Sequence, residues 1–399
     1  MESLIAYQEN LLTHTDGEFF RFLHNKIPWD QRMIAIKGLR GAGKTTMILQ
    51  HIKYNTPNPV KSMYVSADHP WFYNHSLLDL ADKWYKEGGK VLYIDEVHKY
   101  VNWSRELKNI YDGYPGMKVV FTASSALDIY RGESDLSRRV LSYELSGMSF
   151  REYLELTYKI KIPQVSLNEL LLNHVELIRS FYNKLESPLV LFKEYLTSGY
   201  LPFTKTNKET DYLTRLYHII DASISHDLAF IQNYSTTHAV KIKKLLGVIA
   251  ESAPFEPNIA AIAKKLNLGR DTVNNFLQNL QSAHLLNLIN RPTQGIAALQ
   301  KPDKIYLENT NLSFALNNNP EIGTIRETFL FNQLKNSGHK VQLAEKGDFL
   351  IDGKQIIEVG GKNKSYKQIQ GIENAYIASD EIEIGFGNKI PLWLFGFLY

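Results

Sequence analysis

Three glycines, a lysine and a threonine at fixed spacing are the first residues here that could do chemistry. Residues 38–45 read GLRGAGKT, a complete GxxxxGK[ST] pattern. Such glycines let successive backbone N–H groups curl around phosphate oxygens, and a helix starting at the lysine adds its partial positive charge. Lys44 then reaches the outer phosphates and Thr45 offers its hydroxyl to Mg²⁺. Gly38, Leu39, Arg40, Gly41, Ala42, Gly43 and Thr46 complete the cradle.

Such a loop needs a carboxylate on a neighbouring strand to hold the metal's shell. Residues 90–98, KVLYIDEVH, run from apolar residues into Asp95 and Glu96. Asp95 suits the metal. Glu96 points elsewhere and suits the base that orients and deprotonates an attacking water. A second acid here favours hydrolysis over transfer to a substrate hydroxyl. Further along, MKVVFTASSA (117–126) ends in Thr122 and Ser124, where a hydroxyl could meet the terminal phosphate or the attacking water. Arg138 and Arg139 follow in DLSRRV. One of them could stabilise transition-state charge, in cis or across a subunit interface, or both could pair on the surface.

The elements that must position these groups are legible around them. A short apolar strand (33–36) precedes the glycines, and an amphipathic helical stretch runs from Lys44 to Tyr54. Asp95 and Thr122 each close an apolar strand.

The motifs IKGLRGAGKTT, VLYIDEVHK, FTASSA, SRRV and LSGMSFREYL, in this order, resemble prokaryotic AAA+-type P-loop ATPases that carry a C-terminal domain of uncharacterised function. The likeness continues through FKEYLTSGYLP (192–202), IYLENTNLSFAL (305–316) and GTIRETFLFNQL (323–334), so it covers most of the chain. It implies an α/β fold: a three-layer P-loop NTPase sandwich, a helical and winged-helix-like middle, and a small α/β restriction-endonuclease-like end. The expected domains are residues 1–150, 151–300 and 301–399. The implied activity is ATP hydrolysis with Mg²⁺, in which the nucleotide cycle controls a recognising C-terminal half.

In the middle region, LNELLLNHVELIRSFYNKL (167–185) has helical apolar spacing. Residues 258–290 predict a helix-turn-helix: a short helix ending near Leu266, a turn at Leu268-Gly269, and a second helix with Asp271 as N-cap, then the start of a wing. On that helix Arg270, Thr272, Asn275 and Gln278 would face outward. Asn275 and Gln278 suit adenine edges, while Lys264 and Lys265 could hold phosphate. Lys241, Lys243 and Lys244 add positive charge nearby. The same face could equally be solvated or dock a protein, so DNA and protein both stand as partners.

The nuclease fold that the resemblance implies at the end of the chain wants a helical glutamate, an aspartate on one strand and Glu-x-Lys on the next. The chain offers Glu327, Asp348 and Glu358, with Asp348 and Glu358 as a second metal site. The lysine is displaced: the position two beyond Glu358 is Gly360. On a straight strand Lys362 would lie roughly 7 Å further along, although Gly360-Gly361 could bend Lys362 or Lys364 back. The simpler expectation is a retained fold with degraded cleavage.

Composition bounds the rest. The 399 residues exceed one ordinary core, so two or three domains are expected. A formal net charge of +3 neither demands nor excludes nucleic acid. The absence of cysteine excludes disulfides and thiolate zinc sites, and the histidines show no HExxH spacing. No leader-like start and no apolar run of roughly 18 residues is present, so a cytoplasmic protein without a membrane partner is expected. Oligomerisation is left open.

Overall fold

A computed structural model of the chain describes residues 1–123, 136, 138–206, 209–228, 236–252, 256–292 and 302–399. Ser124 lies outside them. The chain divides into two compact units, Met1–Ser146 and Gly147–Tyr399.

The first unit is built on five strands: β1 (Met33–Lys37), β2 (Ser62–Ser66), β3 (Val91–Asp95), β4 (Lys118–Thr122) and β5 (Leu141–Glu144). They lie in the order β2-β3-β4-β1-β5, and every pair is parallel. Sequences such as MIAIK and SMYVS are near-continuous apolar runs because both faces of a parallel sheet are covered. The helices Leu77–Lys86 and Trp103–Gly113 put Leu80, Trp84, Leu107 and Ile110 into one core with Val65, Leu92 and Val119. A capping box between Ser76 and Asp79 fixes the first of these helices at its start.

This strand order positions the chemistry. Because β4 is inserted between β1 and β3, the polar C-terminal ends of three strands arrive side by side. The glycine turn, Asp95 and Thr122 therefore meet at one edge, where ligands of open parallel sheets bind. The helix after the turn is shorter than its spacing predicts. It ends at Gln50 and continues as a π-helical turn, His51–Asn55. There His51 is buried and stacks on Trp29, with centroids 3.8 Å apart.

The second unit begins with helices Phe150–Tyr158, Leu167–Phe181 and Pro188–Ser198. The chain end returns to them. Ser149 Oγ donates to the Tyr399 carbonyl at 2.7 Å, and Gln164 Nε2 donates to that of Leu398 at 2.7 Å. The segments 192–202 and 305–316 are tied through buried side chains: Thr310 Oγ1 donates to the Leu196 carbonyl at 2.6 Å, and Asn311 makes the larger set of bonds. Asn311 Nδ2 donates to the carbonyls of Tyr195 (3.1 Å) and Leu196 (2.8 Å), while its Oδ1 accepts from Tyr200 N (2.7 Å) and Tyr212 Oη (2.6 Å). A fully satisfied buried amide of this kind fixes one packing arrangement.

Helices Thr236–Ser252, Ile259–Leu266 and Arg270–Ser282 precede an antiparallel pair, β6 (Leu286–Ile289) and β7 (Lys304–Leu307). Asp271 is not the N-cap of the last helix. Gly269 holds that extended position, Asn267 makes the left-handed turn before it, and Asp271 lies in the first turn. An acid there still complements the helix dipole. The helix Ile322–Asn336 follows, then a five-stranded mixed sheet ordered β12-β11-β10-β9-β8. Its strands are Val341–Leu343 (β8), Phe349–Ile351 (β9), Gln355–Gly360 (β10), Ala375–Ser379 (β11) and Lys389–Pro391 (β12). Among the described residues, no helix is long and apolar enough to cross a membrane.

Candidate functional sites

The glycine turn has the backbone its sequence requires. Gly38, Gly41 and Gly43 have φ of 143°, 82° and 95°. At Gly38 a Cβ would also run into the Leu145 carbonyl, so sterics and conformation both demand glycine. Lys44 is buried, and its Nζ donates to the carbonyls of Gly38 (2.8 Å) and Leu39 (3.1 Å). The ammonium is thus held over the loop where phosphate oxygens would take over from carbonyls. Arg21, also buried, braces the loop by donating to the Ala42 carbonyl and, at 2.7 Å, to that of Ser146.

Asp95, 3% exposed, is the hub. Its Oδ2 accepts from Thr45 Oγ1 (2.6 Å) and Tyr64 Oη (2.9 Å), and its Oδ1 accepts from Thr122 Oγ1. Thr122 in turn accepts from Glu96 N at 2.9 Å. Its hydroxyl therefore positions the two acids, whereas the spacing had suggested contact with phosphate or water. Burial, followed by the charge of Asp95, pushes the Tyr64 phenol far up, so Tyr64 stays a donor. Thr45 and Asp95, in direct contact from helix and strand, fit a shared Mg²⁺.

Glu96 adopts a left-handed backbone (φ 53°), which turns its side chain away from that of Asp95. Its Oε2 meets Lys99 Nζ at 3.1 Å, and Lys99 also pairs with Asp68 at 2.6 Å. Burial works to raise the Glu96 carboxyl, but His98, Lys44 and Lys99 outweigh it and hold its pKa low. His98 itself is pushed down to about 4, chiefly by burial. Glu96 is therefore ionised at neutral pH, as a base must be.

Of the two arginines expected near the phosphates, one is engaged with a surface acid. Arg139 forms a bidentate pair with Asp112, Nε–Oδ1 3.0 Å and Nη2–Oδ2 2.9 Å, and Arg138 is exposed. Arg40 is half-buried and Thr46 exposed. Tyr64, Lys99, Asp68 and Arg21 were not anticipated. Only the polar end of β2, Ser66 to Asp68 beside a motif strand, could have signalled any of them.

In the second unit, Lys264, Lys265, Arg270, Asn275 and Gln278 are exposed and Thr272 is half-buried. Two nearby lysines are engaged: Lys241 donates to the Asn267 carbonyl at 3.1 Å, and Lys243 pairs with Asp221. Glu327, Asp348 and Glu358 converge on the mixed sheet. Glu327 Oε2 accepts from Tyr306 Oη (2.6 Å) and Lys304 Nζ (2.8 Å). Asp348 Oδ2 accepts from Val359 N at 2.7 Å, and burial with the charges of Glu327 and Glu358 raises its pKa to about 6. Glu358 is wholly buried and pairs with Lys364. Among the described residues, no group of three or more His, Asp or Glu side chains is arranged to hold a metal.

The parallel sheet, the glycine turn and the paired acids define a P-loop NTPase-like α/β unit. Residues 30–154 match a family described as "AAA domain", and residues 190–322 match a "Domain of unknown function (DUF8612)". An uncharacterized protein of Methanocaldococcus jannaschii, MJ1637, is 28% identical over 389 residues, covering 90% of this chain and 82% of that protein. Among solved structures, the Walker-type ATPase PABY2304 of Pyrococcus abyssi aligns over 72% of this chain and 91% of its own (TM-score 0.41, 10% identity). The Aeropyrum pernix ORC1 protein in complex with DNA aligns over 78% and 91% (TM-score 0.31, 13% identity).

Proposed function

We propose that the protein is a Mg²⁺-dependent ATPase whose nucleotide cycle in the first unit controls recognition of DNA by the second. The observation that carries this reading is the Thr45–Asp95 contact beside an ionised Glu96, beneath a lysine poised over a glycine turn. Mg²⁺, held by Thr45 and Asp95, would draw charge from the phosphate oxygens. Lys44 would exchange its carbonyl partners for the outer phosphates, and loop N–H groups would hold the remaining oxygens. Glu96 would accept a proton from the attacking water. The DNA assignment rests on the exposed Arg270, Asn275 and Gln278 of one helix with Lys264 and Lys265 before it, a layout suited to groove reading. With the strand pair β6 and β7 this arrangement is winged-helix-like.

Phosphate release from ATP, with and without duplex DNA, tests both halves. Duplex DNA should raise the rate. Steady hydrolysis indifferent to DNA would instead assign the exposed helix to a protein partner.

One observation favours a second reading, a switch that binds ATP and turns it over rarely. Lys99 holds Glu96 and is anchored by Asp68, so the base is engaged before any water arrives. On that reading Lys99→Ala raises basal phosphate release severalfold. An unchanged rate would dismiss the restraint.

A further inference from the structure

We propose that His24 and His51 form a site for a divalent transition-metal ion of the Ni²⁺, Cu²⁺ and Zn²⁺ class, separate from the Mg²⁺ proposed at Thr45 and Asp95. Both rings line a cavity of about 460 Å³ in the first unit. Val91 and Lys118, the first residues of β3 and β4, line it too, so it lies at the edge of the sheet opposite the glycine turn. The five residues of β3, from Val91 to Asp95, place it roughly 13 Å from the acids of the first unit.

The pair is marked by nitrogens without partners. His24 is 4% exposed and His51 6%, and neither His24 Nε2 nor His51 Nδ1 has a hydrogen-bond partner. Buried polar atoms of native proteins are nearly always satisfied, so two such atoms on adjacent rings call for an occupant. The tautomer of His24 is set by its neighbour. Its Nδ1 lies 3.2 Å from Asn25 Oδ1, which only accepts, so Nδ1 carries the proton and Nε2 keeps a lone pair. Ligating histidines are oriented in this way, with the other ring nitrogen donating to a nearby oxygen. Burial keeps both rings in the neutral form that ligates, and with the charge of His24 it pushes His51 down to about 4.

Distance separates an ion from other occupants. Both nitrogens are sealed from water, whose oxygen would need about 2.9 Å. An ion sits about 2.0–2.1 Å from an imidazole nitrogen, and two imidazoles on one tetrahedral ion have ring centroids roughly 5–5.5 Å apart. The His24 and His51 centroids are 5.6 Å apart, with planes inclined at 53°. One tryptophan fixes both rings. Trp29 stacks on His51 at 3.8 Å and donates from Nε1 to the His24 carbonyl at 2.8 Å. His51 also opens the π-helical turn His51–Asn55, and such turns recur at functional sites.

Imidazole suits ions of the Ni²⁺, Cu²⁺ and Zn²⁺ class, whereas Mg²⁺ takes oxygen. Two imidazoles are the protein's share. Among the described residues no third His, Asp or Glu completes a set with them, so water or a small ligand from the cavity fills the remaining positions. The rim carries one charge of each sign, Asp30 and Lys118, and so neither gathers nor repels cations.

The test titrates Zn²⁺ into the EDTA-stripped full chain by calorimetry, with Mg²⁺ in excess to occupy the Thr45–Asp95 position. Wild type should take up one Zn²⁺ per chain. Cu²⁺ in its place should show electron paramagnetic resonance splitting from two nitrogens. His24→Gln and His51→Gln should each lose this uptake. Both residues are buried, so the exposed Asn25 carries the decision if those variants fail to fold. Asn25→Ala should weaken Zn²⁺ binding about 10-fold. His14→Ala, a change at an exposed histidine, should match wild type. Absence of uptake by wild type, or uptake unchanged in Asn25→Ala, would overturn the proposal. So would an equal loss in His14→Ala, which would assign the ion to surface histidines. The ATPase reading stands or falls separately on phosphate release.

Discussion

The two units each hold a cluster of acids around one buried carboxylate, Asp95 at the end of β3 and Glu358 within β10, and they stabilise them by different means. Asp95 is surrounded by neutral hydroxyl donors, Thr45, Tyr64 and Thr122, which fix its orientation and leave its charge available. In the second unit the acids are met by ammonium groups, Lys304 on Glu327 and Lys364 on Glu358. Asp348, between them, has only a backbone N–H donor at 2.7 Å and carries a raised pKa. Hydroxyl donors preorganise a carboxylate for a cation; ammonium groups partly neutralise it and must move or share when a cation binds.

The largest expected effect breaks the comparison on the side of the first unit. On the ATPase reading proposed above, Glu96→Gln keeps shape and hydrogen bonding but would remove the base, so ATP hydrolysis should fall about 10²- to 10⁴-fold. Nucleotide binding, read by a fluorescent analogue, should persist. A rate equal to wild type would move the base elsewhere and leave Glu96 as a strand-end acid.

Acid should then separate the two units by sign. Burial and His24 depress His51 to about 4, so His51 contributes stability that is whole above its unfolded value near 6.5 and is lost as pH falls toward 4. Asp348 runs the other way. Its folded value of about 6 lies above the unfolded 3.8, so its ionisation costs stability at neutral pH and the cost disappears as pH falls through 6 to 4. Each effect is bounded at about 3 kcal/mol. In EDTA, urea unfolding of Asp348→Asn should show a gain at pH 7 that vanishes near pH 4. His51→Gln should show its smallest deficit at low pH. Parallel curves for the two variants would erase the distinction.

Much of the first site was legible because it is local. Eight contiguous residues specify the glycine turn, and Asp95-Glu96 closes an obvious apolar strand. Its partners were not legible, since Tyr64 and Lys99 reach the acids only through the strand order and through the left-handed turn at Glu96. Thr122 was noticed for its hydroxyl, but β4 lies beside β3, so it bonds Asp95 and Glu96. In the second unit the three acids were singled out by the resemblance rather than by spacing alone. The lysine was not: which of two lysines returns depends on how Gly360-Gly361 bends and on pins from Ser379, Asp380 and Lys389 far along the chain. Asp271 was misplaced as a cap because a glycine in extended conformation serves that position equally well.

A smaller effect concerns the strut between the two acids of the first unit. Thr122→Val preserves shape but leaves Glu96 N–H without its acceptor and Asp95 with one donor fewer, in a place with no exposure. The cost should be about 1–3 kcal/mol in unfolding free energy. Hydrolysis should fall too, because the backbone that aims Glu96 loosens. Stability lost without any change in rate would mean that the left-handed turn at Glu96 is held by the rest of the sheet.

The smallest effect is the most discriminating for Arg139. Its bidentate pair with Asp112 sits on the surface, where solvent screens it, so Arg139→Ala should leave the melting temperature within error. A purely structural arginine should leave hydrolysis unchanged as well. If instead Arg139→Ala lowers phosphate release with stability intact, and the loss is rescued by mixing with Glu96→Gln protein, the arginine acts across a subunit boundary. Each defective chain would then supply what the other lacks. That rescue cannot arise from an arginine serving its own phosphate loop, so the mixing experiment separates cis from trans action without knowledge of the assembly.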